Sequence, residues 1–249
     1  MSLDLATLSA TAAVAFVGAA VQTVTGFGFA LLAVPSLVLI LPVRDAIVVA
    51  ALISLVNISL VALSTRGHAD RWTVGRLLLG SLFGMPIGLA TLLVLSPDVL
   101  RVAVGVSTVV MALAVARDAT LPVSGPSTDV AIGLACGVLS TSTGMNGPPL
   151  VLYLRSRRLA PPAFRATLSR FFLISGLLSQ ISFAIGGVLS GRALLLAAAG
   201  VPAILVGHRV GSAVVAGISP RLFHRLVLLV LAAAAALGAA VALVRLVGS

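Results

Sequence analysis

Eight runs without a single charged residue divide this chain: 5–43, 46–65, 77–97, 102–116, 130–154, 171–191, 193–207 and 226–244. About 20 apolar residues at 1.5 Å rise each cross roughly 30 Å of hydrocarbon. Inside that layer only helices or closed barrels satisfy their own backbone. Runs this long and this apolar therefore predict membrane helices. Composition agrees: 60% of residues are hydrophobic and 9% charged, against about 25% charged in an ordinary soluble domain, so a water-soluble fold is excluded.

The charge has a telling distribution. All 16 basic residues are Arg, all six acids are Asp, and the net charge is +10. The arginines stand in short tracts between apolar runs, with no stacking aromatics around them. That pattern belongs to membrane topology and membrane lipids, and no nucleic-acid partner is implied. The single cysteine, Cys136, rules out an intramolecular disulfide or a CxxC pair. Residues 1–4 carry no positive n-region, so the chain from residue 5 reads as mature membrane sequence.

Six runs read as single helices. The other two, 5–43 and 130–154, are interrupted near their middles by Thr25-Gly26-Phe27-Gly28 and by Thr143-Gly144-Met145-Asn146-Gly147-Pro148-Pro149. These interruptions also open an internal repeat. Thr25-Gly26 aligns with Thr143-Gly144 at an offset of 118, Arg76 and Gly84-Met85-Pro86 with Arg192 and Gly200-Val201-Pro202 at 116, and Ser96-Pro97 with Ser219-Pro220 at 123. The chain reads as two tandem repeats, 1–118 and 119–249, within one membrane domain. Each is a broken segment followed by three helices, giving eight membrane segments in an all-α integral membrane protein. Both Ser-Pro pairs suit a helix start.

Charge placement sets the orientation of the copies. If the broken runs cross fully, the copies are parallel and arginines divide ten to six between the two sides. If each run enters and returns on one side, the copies are inverted. Arg66, Arg71, Arg76, Arg117, Arg155, Arg157, Arg158, Arg165, Arg170, Arg209, Arg221 and Arg225 then share one side, against Arg44, Arg101, Arg192 and Arg245. The stronger positive-inside bias favours inversion. Residues 130–154 are also too few for two full spans, but enough for two half-helices meeting at mid-depth.

At these breaks the sequence resembles the sulfite exporter TauE/SafE family of bacterial anion transporters. The resemblance is carried by Thr25-Gly26-Phe27-Gly28-Phe29 through Pro35, by Gly144-Met145-Asn146-Gly147-Pro148-Pro149-Leu150-Val151-Leu152-Tyr153-Leu154, and by Phe164-Arg165-Ala166-Thr167. It implies a multi-pass protein of the bacterial inner membrane. It also implies movement of a small sulfur-containing anion, such as sulfite or a short organosulfonate, or of a carboxylate.

Physical chemistry gives that expectation a site. A half-helix ending in mid-membrane leaves N–H groups without water, and its N-terminal end carries about half a positive charge, so an anion is stabilised there without a buried cation. The candidate binding residues are Gln22, Thr25, Gly26 and Gly28 in the first copy and Ser140, Thr143, Gly144, Asn146 and Gly147 in the second. Arg170, about two turns into its helix, either draws anions into a vestibule or snorkels to the surface. For Ser140 and Thr141 the plain alternative is a bond back to their own helix. Asn57, Ser179, Gln180 and Ser182 line a path or join helices. Gly80, Gly84 and Gly88, spaced four apart, read as a packing face. Pro86 and Pro202 read as kinks, Cys136 as core packing and Trp72 as an interfacial anchor.

All six Asp residues sit at segment ends or in loops, and no ATP-binding motif is present. The chain thus reads as a secondary carrier or facilitator rather than an enzyme, with no cofactor. The rival readings are a metal-cation carrier, which needs carboxylate, His or thiolate ligands in the membrane, an intramembrane enzyme, and an assembly factor.

Overall fold

The computed structural model describes residues 4–65, 68–117, 125–157 and 159–217, together with 229, 232, 233, 236, 237 and 239. Among these residues all regular structure is helical: α1 Leu5–Thr25, α2 Phe29–Val38, α3 Val43–Ser64, α4 Arg71–Val94, α5 Pro97–Ala116, α6 Pro126–Ser142, α7 Gly147–Ser156, α8 Pro161–Ile185 and α9 Gly191–Gly217. Polar residues start several of them. Asp4 accepts from the Thr7 amide at 3.0 Å, and Asp70 from the Thr73 amide at 3.1 Å. Ser96 Oγ accepts from Val99 N at 3.4 Å, so the expected Ser-Pro start holds for α5. Its counterpart at Ser219-Pro220 lies outside the described residues, as does most of the run 226–244.

Among the described residues, six helices are long and apolar enough to cross a membrane: α1, α3, α4, α5, α8 and α9. Both expected interruptions are present, α1 from α2 and α6 from α7, but the first is uneven. α1 has 21 residues and α2 has ten, so the first broken run is a long helix followed by a short one. With no Pro and no charge in α1, nothing stops it before Gly26.

Close backbone contact sets the helix pairs. In a membrane small residues replace the hydrophobic effect as the means of association. A Cβ built on Gly84 would lie 2.1 Å from the Leu134 carbonyl oxygen, and one on Gly88 2.2 Å from that of Val138. α4 and α6 therefore touch along their main chains and run parallel. α1 and α9 repeat this contact: a Cβ on Gly207 would meet Phe16 O at 2.3 Å, and one on Gly211 would meet Ala20 O at 2.7 Å. Leu134 and Phe16 are 118 apart, and so are Val138 and Ala20. Gly207 and Gly84 are 123 apart, and so are Gly211 and Gly88. By these contacts α4 matches α9 at 123, the Ser-Pro offset. The 116 alignment of Gly84-Met85-Pro86 is two helical turns out of register, because apolar Gly-rich helices resemble themselves at several shifts.

Further contacts order the ends. Asp45 of α3 faces Arg192 of α9 at 3.6 Å, and Ile53 lies against Gly200, so α3 runs parallel to α9. Thr167 Oγ1 accepts from the Asp70 amide at 3.0 Å, and Leu89 lies against Gly186, so α4 runs parallel to α8. Leu55 packs on Gly176 while Thr65 Oγ1 lies 3.5 Å from Ser169 Oγ, so α3 and α8 are antiparallel. α1, α3 and α9 thus start at one end of the bundle, and α4, α6 and α8 at the other. α7 returns beside α6: the Tyr153 hydroxyl in its last turns donates to Asp129 Oδ1, in the first turn of α6, at 2.5 Å.

Candidate functional site

Each break is made by a glycine in the left-handed region. Gly26 has φ +82° and its amide donates to Gln22 O at 2.7 Å. Gly144, at the second break, has φ +76°. This geometry ends a helix and aims the chain elsewhere, at little steric cost only for glycine. Thr25 Oγ1 donates to Val21 O at 2.8 Å and accepts from the Phe27 amide at 3.2 Å, pinning the turn. Thr143 Oγ1 bonds back to Leu139 O at 3.2 Å.

The two breaks meet. A Cβ on Gly147 would lie 3.7 Å from Cβ of Phe27, and one on Gly144 3.2 Å from a methyl of Val34. Between them lies a cavity of about 60 Å³. At roughly 10–15 Å³ per water position it has room for about four to six waters, the scale of a small oxyanion. Gln22, Gly28, Ser140, Gly144, Asn146 and Gly147 line it, with Ala50, Ala51 and Ser54 from the middle of α3 and Phe172, Gly176 and Ser179 from the middle of α8.

The polar side of this cavity is wired. Ser179 Oγ donates to Ser175 O at 2.9 Å, which makes Ser140 the donor in its 2.7 Å bond to Ser179. The Asn146 amide then donates to Ser140 at 3.4 Å and keeps one N–H for a ligand. Opposite, Asn57 Nδ2 donates to Gln22 Oε1 at 2.8 Å, and Gln22 Nε2 donates to Ser54 at 3.5 Å. Ser140–Ser179 and Gln22–Asn57 are thus two polar pairs, one beside each break.

No lining residue is charged, so the helix ends dominate the local field. Gly28 precedes α2 and Asn146 precedes α7 as N-cap residues, neither making a side-chain cap hydrogen bond. The ends are unequal. Phe29, Ala30 and Leu31 all line the cavity and all carry an N–H. In the first turn of α7, Pro148 and Pro149 have none, and the Leu150 amide points to Cys136. In that turn Gly147, on the cavity wall, is the residue whose amide is neither absent nor turned to Cys136.

Thr25, Gly26 and Thr143 shape the turns and are not among the lining residues, and Arg170 is exposed on α8. Thr141 bonds Met85 O at 2.8 Å and Gly137 O at 3.2 Å, and Ser142 bonds Val138 O at 2.7 Å; both serve helix packing. Cys136 is buried. Sequence reasoning missed the small-residue face Ala50-Ala51-Ser54, whose i, i+4 spacing was the available signal. It also read Asp129 as a helix-end residue. Asp129 does sit in the first turn of α6 but is 0% exposed, a burial made possible by two arginines and a tyrosine from other helices.

Among the described residues, six span-length helices and two broken elements that share an uncharged cavity mark a multi-pass membrane protein. The sequence profile of the sulfite exporter TauE/SafE family matches residues 11–238, and the chain belongs to that family. A Cupriavidus necator protein named probable sulfite/organosulfonate exporter TauE is 27% identical over 197 residues, covering 76% of this chain and 77% of that protein. No solved structure matches significantly. The family is one of transporters, and the chain is a multi-pass protein of the bacterial inner membrane.

Proposed function

We propose that this protein is a secondary carrier or facilitator of small sulfur-containing anions, sulfite or short organosulfonates, held at mid-depth by the N-terminal ends of α2 and α7. The observation that carries this reading is the uncharged cavity lined by both breaks. An anion there receives helix-end N–H groups and the amides of Gln22 and Asn146, and no buried cation must be desolvated. The lining holds no carboxylate, imidazole or thiolate of the kind a cation carrier requires. The name of the Cupriavidus necator relative supports the substrate class.

The architecture we propose is eight membrane segments in two inverted repeats, 1–118 and 119–249. Its support is directional: α1, α3 and α9 start at one end, while their repeat mates α6, α8 and α4 start at the other. Arg71, Arg76, Arg117, Arg155, Arg157 and Arg165 gather at the second end, so that end faces the cytoplasm. A monoanion leaving the cell gains about 2.3 kcal/mol per 100 mV of inside-negative potential, so efflux needs no coupled ion.

Thermal unfolding of the purified protein with sulfite, sulfate, methanesulfonate, acetate and divalent metal salts tests the substrate class. Sulfite or the sulfonate is expected to stabilise wild type and to leave Asn146→Leu unmoved. Stabilisation by divalent metals alone would overturn the reading.

A further inference from the structure

Around Asp129 the chain assembles a closed set of charges that the anion site does not use. Arg76 Nε of α4 lies 2.7 Å from Asp129 Oδ2, the Tyr153 hydroxyl of α7 donates to Oδ1 at 2.5 Å, and Arg157 NH1 lies 3.5 Å away. Arg157 also reaches Asp70 at 3.5 Å and Thr73 Oγ1 at 3.0 Å. Two carboxylates thus balance two guanidinium groups, and the cluster ties the last turn of α7 to the first turns of α4 and α6. Such a cluster holds only while complete, because a buried charge that loses its partner is left uncompensated.

The repeat sharpens this. At offsets of 118 and 123, the mates of Asp129, Tyr153, Arg157, Asp70, Thr73 and Arg76 are Thr11, Pro35, Leu39, Ala193, Leu196 and Ala199. None of these mates is charged. Thr11 only bonds back to Thr7 O at 2.8 Å. At the opposite end, among the described residues, Arg192–Asp45 joins α9 to α3, Arg101–Asp98 lies within α5, and Arg44 of α3 bonds Leu92 O and Leu93 O of α4; none of these contacts reaches α2. One returning limb is therefore clamped by charge, and its mate is held by apolar packing.

We propose that the Asp129 cluster is an ionic gate that closes the arginine-rich end of the pathway by clamping α7, and that the opposite end opens without breaking any comparable lock. α7 carries Gly147 and Pro148 at its start, on the cavity wall, so releasing its far end moves that wall. The proposal rests on the transport reading only in requiring the cavity to open; the following test uses no anion.

Ser54→Cys on a Cys136→Ala background places one thiol in the cavity. A membrane-impermeant maleimide is applied to inverted vesicles, which expose the arginine-rich end, and to right-side-out spheroplasts. Adding Asp129→Asn should raise labelling in inverted vesicles about tenfold, the effect of removing about 1.4 kcal/mol from the closed state, and leave spheroplast labelling unchanged. Tyr153→Phe and Arg157→Gln should act in the same direction, and they carry the test if Asp129→Asn does not accumulate. Thr11→Val, at the mate position, should alter neither side. An equal rise from both sides, an equal effect of Thr11→Val, or no rise in any of the three gate variants would overturn the proposal. Failure of sulfite to bind would leave this result standing.

Discussion

The side-chain amide of Asn146 donates to Oγ of Ser140 at 3.4 Å across the break between α6 and α7. That bond fixes the amide on the cavity wall with one N–H to spare. A hydrogen bond to a charged ligand contributes about 1.5–3 kcal/mol. Asn146→Leu should therefore weaken anion binding by roughly ten- to a hundredfold, while Asn146→Asp should abolish it by like-charge repulsion. Isothermal titration with sulfite checks both. Equal affinity in wild type and Asn146→Asp would remove Asn146 from the site.

Helix contact through glycine makes a second prediction. Gly84 cannot accept a methyl without parting α4 from α6, since that methyl would lie 2.1 Å from Leu134 O. Gly84→Ala should destabilise by about 1–3 kcal/mol, as overpacking does. Gly75, in the same helix, has nothing within 4 Å of a built Cβ. Gly75→Ala should be neutral or stabilising by up to about 1 kcal/mol. Detergent unfolding curves of the two variants should separate in opposite directions.

Backbone conformation gives a third. Gly26 has φ +82° and only Leu168 near a built Cβ, at 3.9 Å. The penalty of Gly26→Ala is then conformational, about 1–2 kcal/mol. Gly26→Asn should lose less, because asparagine tolerates the left-handed region better. Matching losses for Ala and Asn would show that the turn is held by something other than its φ.

Asp70 supplies a pH dependence. The Thr73 hydroxyl, then its amide and Arg157, hold the Asp70 carboxyl below the usual 3.8 against an opposing effect of burial. A depressed folded value means the contribution is complete above the unfolded value and disappears as pH falls through the folded one. Asp70→Ala should lower stability by about 1 kcal/mol at neutral pH, the worth of a helix cap. The difference from wild type should be complete above about pH 4 and shrink as pH falls below it. Melting temperatures measured between pH 3 and 8 check the sign. A gap that widens in acid would contradict it.

How much of this was readable beforehand depended on the kind of signal. The breaks at Gly26 and Gly144 stood out because glycine and polar residues interrupt otherwise uniform apolar runs. The 118 offset was legible where rare residues marked it, at Thr25-Gly26 and Thr143-Gly144. It slipped by two turns in α4 and α9, where Gly, Ala and Leu recur at helical spacing and several registers look alike. Side chains at the breaks pointed to Gln22, Ser140 and Asn146 on the cavity wall, yet not to Ser54 or Ala51. Those lie mid-helix, where only tertiary packing decides which face turns inward. Asp129 was hidden for the same reason, as its partners Arg76, Tyr153 and Arg157 come from separate helices and no local pattern joins them.

Efflux of labelled sulfite from proteoliposomes under an imposed inside-negative potential tests the central claim most directly, with Ala51→Phe as the comparison because that ring fills the shared cavity. Wild type should empty the vesicles faster than protein-free liposomes, and Ala51→Phe, folded and inserted as judged by its melting curve, should not. Equal efflux by the filled variant and wild type would contradict the claim that the anion passes between the two breaks.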